Sequence, residues 1–380
     1  MIKKALMAWA MTILTGTIGL TLSMTAHAED QVKKPAYPVE PTLSGKSKYN
    51  EYWEQYFIFE DGTLITSQFL VINFPFNKHR GIMLSNVVRP DGTTYIIKNG
   101  RKKGEWSTNP DKLDFRFSRS VDHYLRGTAP NYEMRLKNTT GQADLKMTSV
   151  LEPIDLGTYP GRKKSNMSST IYAPHFEATG TFKPGPEVVP NDDAPMIDLG
   201  NAQGFGMHVR SDGQMDYLVD DWLRVFGLTD KNNPDAPQMI LSSISRPKGQ
   251  KDNMLRLRGK DGYLDSFTDI IVTVLEEKQD DRSTYPTKIR ISADSDKGKL
   301  IGEIDFTKKL EHFRIDDHLS SLERTLYKIF PSVLRYRYLA DYNLLYTTDQ
   351  GTTKITGKAL SEYANVLPPL TKKKKKFKRR

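Results

Sequence analysis

Cysteine is absent from this 380-residue chain, which excludes disulfides, thiol catalysis and thiolate metal sites. Also missing are a Gly-x-x-x-x-Gly-Lys-Ser/Thr phosphate loop, a Gly-x-Ser-x-Gly nucleophile elbow and a His-Glu-x-x-His metal motif. Gly204-Phe205-Gly206 is a fragment of a dinucleotide fingerprint, without its third glycine and in strand-like surroundings. Beyond residue 28 the histidines are His79, His123, His175, His208, His312 and His318, and no two stand at a metal-ligand spacing. Neither a metal nor a cofactor is expected.

An acidic balance is lacking too, but the formal charge of +10 is a property of the ends. Lys3 and Lys4 supply two of the ten positive charges, and Lys372–Lys376, Lys378, Arg379 and Arg380 supply the other eight. The body between them is formally neutral, so no folded basic face and no nucleic-acid partner is expected. The tail from 368 to 380 reads as low complexity, suited to an anionic membrane surface or simply solvated. At the other end, Lys3-Lys4, an apolar run from Ala5 to about Met24 and Ala26-His27-Ala28 read as a secretory leader over 1–28, cleaved after Ala28. This predicts a periplasmic or secreted protein.

What is present is β-pattern. Gln55–Phe59, Leu64–Phe74, Leu113–Ser118 and Tyr132–Leu136 are strand-like runs separated by turn residues such as Glu60-Asp61-Gly62 and Arg89-Pro90-Asp91-Gly92. Ile82–Gly92 returns in recognisable form as Met239–Gly249, sharing Leu-Ser, Arg-Pro and a closing glycine at an offset of about 157. Tyr132–Leu136 and Asp144–Met147 are echoed by Thr287–Ile291 and Lys299–Gly302 at an offset of about 155. A domain-sized offset points to duplication. The predicted layout is an extended lead-in over 29–48, a first barrel over 49–156, a Pro/Gly-rich connection over 157–200 and a second barrel over 201–367. Further strands are expected at Met215–Phe226, Met239–Ser245, Asp269–Leu275, Lys288–Ile291, Ile301–Phe306 and Arg335–Tyr346. One helix is expected after Asp316-Asp317, with Leu319, Leu322, Leu326, Ile329 and Phe330 at helical spacing and Pro331 ending it.

Two constellations could bear chemistry. If Met215–Arg224 is a strand, Asp216, Leu218, Asp220 and Trp222 share one face and Tyr217, Val219, Asp221 and Leu223 the other. Asp220 inside an apolar barrel would be a proton donor to an alkene; at a barrel rim it would pair with Arg224. Tyr336, Tyr338, Tyr342 and Tyr346 fall on one strand face opposite Arg335 and Arg337, suiting either an amphipathic ligand or core packing.

The aromatic opening Tyr52–Phe59 before Asp61-Gly62, the run Gly204-Phe205-Gly206-Met207-His208 and the late Gly357–Tyr363 together resemble the tandem lipocalin-like superfamily. It includes carotenoid 1,2-hydratases (hydroxyneurosporene synthases), AttH-like proteins and survival-factor-like proteins. The resemblance implies an all-β fold of two consecutive calycin-type barrels with apolar or lipid-like ligands. His208 and Glu362 match the pattern, whereas Val209-Arg210-Ser211-Asp212 replaces the Asp-His pair and aromatic of the hydratase branch. The expected function is binding or carrying a hydrophobic, lipid-like or isoprenoid molecule, with Trp53, Tyr217, Trp222, Tyr336, Tyr338 and Tyr342 as candidate lining. The alternatives are a hydratase- or isomerase-like enzyme using His208, Asp220 and Glu362, and a surface protein docking on anionic lipid through Lys372–Arg380.

Overall fold

Alternation along the first strand sets the architecture. In β1 (Asn50–Phe59) Trp53, Phe57 and Phe59 join one buried apolar cluster, while Tyr52 and Tyr56 join others on the opposite side. Both faces of the strand are therefore covered, one by its own barrel and one by its neighbour. The computed structural model describes residues 41–74, 77–109, 111–117, 123–189, 194–260, 262–280, 282–314, 317 and 331–369, all within one compact unit, Tyr37–Arg380. The expected leader, the body of the expected helix over 316–330 and the basic tail beyond 369 lie outside these residues.

The first sheet continues with β2 (Leu64–Phe74), β3 (Asn77–Val88), β4 (Thr94–Arg101), β5 (Trp106–Asn109), β6 (Lys112–Phe117), β7 (His123–Thr128), β8 (Asn131–Lys137), β9 (Gly141–Ser149), β10 (Ile154–Pro160), β11 (Asn166–Pro184) and β12 (Ile197–Ser211). Strands β1 to β4 and β5 to β9 are meanders, and β11 and β12 carry the sheet from β9 back to β1. The sheet is thus a barrel left open only between β4 and β5. Side chains bridge that side: Thr140 Oγ1 donates to the Ile96 carbonyl at 2.7 Å and Trp106 Nε1 to the His79 carbonyl at 2.8 Å. The interior is filled by Trp53, Phe57, Phe69, Phe115, Phe117 and Phe176, all inaccessible to solvent, and their companions. Each such burial contributes about 1.5–3 kcal/mol.

A one-turn helix, α1 (Met215–Leu218), precedes the second sheet. That sheet comprises β13 (Asp221–Gly227), β14 (Gln238–Arg246), β15 (Gln250–Arg258), β16 (Tyr263–Gln279), β17 (Thr284–Asp294), β18 (Gly298–Arg314), β19 (Ser332–Thr348) and β20 (Gly351–Leu367). It is a closed eight-stranded barrel with consecutive strands adjacent and β20 returning to β13. The barrels meet through two apolar clusters. In one, Phe205 of β12 stacks on Phe226 of β13 with ring centroids 3.6 Å apart; the other joins Tyr52 and Val209 to Trp222 and Ile244.

Two barrel-like sheets are as expected, but their boundaries differ. The stretch 157–200 is mostly strand, and Gly204–His208 belongs to the last strand of the first sheet. Prolines did not prevent this, because Pro160 and Pro184 end strands and Pro174 sits where the β11–β12 register slips between Ala173 and Phe176. The two echoes also separate. In each sheet the first strand pairs with the last. The hairpins β8–β9 and β17–β18 both lie just before the two closing strands, in equivalent places. The Ile82–Gly92 echo instead aligns a third strand, β3, with a second strand, β14. It repeats a strand-and-turn pattern without repeating a position.

Candidate functional site

Three chemically distinct places emerge. Inside the first barrel, β12 lies against β1 so that His208 opposes Trp53. Their rings stack at 4.9 Å and 8°. His208 Nε2 lies 2.9 Å from Glu51 Oε1, and Tyr49 donates to the other carboxylate oxygen, which also accepts from the Thr42 backbone at 2.9 Å. Burial opposes ionisation of Glu51, but the bonds from His208, Tyr49 and Thr42 outweigh it and hold its carboxyl below the ordinary value. The result is a buried carboxylate–imidazole dyad at one end of the barrel.

The second place is the interface. Trp222 and Arg224 of β13, Arg335 and Arg337 of β19 and Glu362 of β20 project outward from the second barrel onto Glu54 and Tyr56 of β1. Glu362 accepts from Trp222 Nε1 and from the Tyr56 hydroxyl, each at 2.8 Å. It also pairs with Arg337 at 3.1 Å, Arg224 at 3.3 Å and Arg335 at 3.8 Å. Glu54 pairs with Arg224 at 3.0 Å and with Arg335, and Glu311 of β18 pairs with Arg337. Three arginines thus meet three glutamates, all of them buried. Burial works to raise the Glu362 pKa, yet Arg335, Arg337 and Arg224 pull it down to about 2. Such a group is no proton donor near neutral pH. It is the hub of an inter-barrel charge network.

The third place is an open cleft of about 1880 Å³ between the barrels, walled by both. Its apolar surface includes Ile58 and Ala178 of the first sheet and Leu228, Leu310 and Leu339 of the second. His175 of β11, Thr229 and Tyr342 give it neutral polar points, and charged side chains of both signs, among them Arg126, Glu133, Glu177, Lys308 and Asp341, complete its lining.

The structure does not assemble the expected residues into one site. His208 and Trp53 come together in the first barrel, Trp222 and Glu362 at the interface. Tyr336, Tyr338 and Tyr342 belong to the buried apolar cluster of the second barrel, with Tyr342 also reaching the cleft. Tyr217 lies on α1, its hydroxyl accepting from Lys163 at 2.9 Å. Asp220 is exposed at the bend before β13, with its backbone tied to Ser245 and Val366. The strand expected over Met215–Phe226 is broken by α1, so Asp220 is not a carboxylate inside a barrel, and Arg224, its alternative partner, pairs with Glu54 and Glu362. Glu51, Glu54, Arg258 and His175 were not singled out from the sequence. A faint signal was available in β1, where two glutamates sit in an otherwise aromatic strand covered on both sides. Among the described residues no group of His, Asp and Glu is arranged to hold a metal.

No family model matches the sequence, and no curated protein matches it either. Solved structures do match. Kievitone hydratase from Nectria haematococca aligns over 87% of this chain and 93% of its own at 10% identity, with a TM-score of 0.52. An AttH-type protein from Nitrosomonas europaea aligns over 87% and 97% at 13% identity, with a TM-score of 0.54. CghA aligns over 88% and 96% at 11% identity, with a TM-score of 0.51. The fold of this chain is accordingly the tandem lipocalin-like double barrel.

Proposed function

We propose that this protein binds a largely apolar small molecule in the cleft between its two barrels. One observation supports the reading: the inter-barrel cleft is open and large enough for a ligand of lipid size, beside apolar clusters buried within each barrel. The expected carrier role is thereby moved from the barrel lumens to the groove they form together. Leu339→Lys, on the cleft wall, is expected to weaken binding of a fluorescent alkyl probe at least tenfold while leaving the urea midpoint unchanged. Undiminished binding would place the ligand elsewhere. The leader-like N-terminus adds an exported location to this proposal.

A second reading rests on the dyad. An adjacent carboxylate can orient His208 for proton transfer, and a hydratase is among the proteins of similar fold. In that chemistry water adds across a C=C bond, one carbon taking the proton and the other the hydroxyl. The dyad would supply about 10²–10⁴-fold by acid–base catalysis. Incubating the protein with a polyene in ¹⁸O-labelled water should then give a labelled alcohol, reduced at least a hundredfold by His208→Ala or Glu51→Gln. No label above background with the unaltered protein would remove this reading.

A further inference from the structure

Arg258, the last residue of β15, is a buried guanidinium, 3% exposed. Its Nη2 donates to His175 Nδ1 at 3.0 Å, to the Gly227 carbonyl at 3.2 Å and to Thr229 Oγ1 at 3.2 Å. Every one of those acceptors is neutral. Among the described residues no carboxylate pairs with Arg258, and its Nε is buried without a partner. The contrast with the interface is sharp, since Arg224, Arg335 and Arg337 all meet glutamates there. A buried cation that no carboxylate bonds directly is costly. Glu177, on the same cleft, acts on Arg258 only at a distance, and burial outweighs it, lowering the Arg258 pKa to about 10.

Two of the three acceptors line the open cleft. His175 receives the Arg258 N–H on Nδ1, and burial beside that cation holds the ring neutral, its pKa lowered to about 3. A neutral ring that accepts on Nδ1 carries its hydrogen on Nε2. Thr229 accepts on its hydroxyl oxygen and so keeps its own O–H to donate. The guanidinium therefore sits one side chain behind the cleft wall, polarising two neutral donors on that wall. Apolar surface from Ile58, Leu228, Leu310 and Leu339 lies in the same cleft.

We infer that the cleft contains an anion subsite formed by His175, Thr229 and Arg258, and that its ligand is an amphipathic acid with a carboxylate head and an apolar tail. The carboxylate accepts from His175 and Thr229, and Arg258 supplies the charge behind them. The tail runs along the apolar wall. This inference rests on the cleft reading and adds the chemical class of the ligand.

The test uses the full chain with two probes of equal tail length, dodecanoate and dodecanol, titrated calorimetrically below their aggregation concentrations. The unaltered protein is expected to bind dodecanoate at least tenfold more tightly than dodecanol. Arg258→Met and His175→Phe should each erase that preference, the urea midpoint of each variant recording that it is folded. Should either variant lose its fold, Thr229→Val provides the same comparison with a smaller change, expected at threefold or more. Dodecanol binding with no preference for the acid would overturn the anion subsite and spare the cleft. A preference that survives in the variants would overturn it as well. Binding of neither probe to the unaltered protein would overturn both.

Discussion

Glu362→Ala is expected to cost about 3–5 kcal/mol of folding stability, the usual result of removing one partner from a buried ion network. The loss arises because Arg224, Arg335 and Arg337 would be left at the barrel interface facing Glu54 and Glu311 with one negative charge too few. Trp222 Nε1 and the Tyr56 hydroxyl would lose their acceptor too. Acid should reproduce the effect. The Glu362 carboxyl has a folded pKa of about 2 against an ordinary 4.5. A depressed carboxyl pKa gives stability that is fully present above the ordinary value and is lost as pH falls through 4.5 towards 2. A gap of that size corresponds to about 3 kcal/mol, in keeping with the mutational figure. Urea unfolding at pH 7 and at steps down to pH 3 measures both. A loss below 1 kcal/mol at pH 7, together with parallel pH profiles for Glu362→Gln and the parent, would refute the network's role in holding the barrels together.

Gly204→Ala is the second substitution of large effect. A Cβ at this position would lie 2.0 Å from the Tyr56 carbonyl oxygen and 2.7 Å from Phe57 Cδ1. Neither is the far end of a flexible chain, so β1 and β12 would have to part where Phe57 opposes Gly204. Overpacking of this kind costs about 3 kcal/mol, at the upper end of the usual range. The same logic holds two residues on, where a Cβ on Gly206 would meet the Tyr172 ring at 2.6 Å. The pair of glycines that hints at phosphate binding in the sequence is a device for strand closure. A urea midpoint for Gly204→Ala within experimental error of the parent would show that β1 and β12 do not pair in this register.

The fold was largely legible because β-branched and aromatic residues gather in short runs bounded by turn residues. Leu64–Phe74, Tyr132–Leu136 and Arg335–Tyr346 all fall within observed strands. Alternation misled at Met215–Leu218, where four residues form a helical turn that no period can reveal. Composition misled over 157–200, where prolines at strand ends and at a register slip look like a linker. The site was less legible for a different reason. His208 was visible through its motif, but its partner Glu51 lies 157 positions earlier. Arg258 and His175 are 83 apart. Such pairs are created by barrel closure and by barrel contact, neither of which leaves a local trace.

Pairing of β1 with β12 has a consequence for how the chain reaches this state. The second neighbour of β1 is a strand that ends at Ser211, so roughly half the polypeptide must be available before β1 is paired on both sides. Closing so large a loop is slow, and an unpaired edge is prone to aggregation while it waits. The two barrels also share clusters that include Phe205 of β12 and Phe226 of β13. The strand that completes the pairing of β1 and the strand that opens the second barrel are therefore packed on one another, so that neither barrel buries this surface without the other.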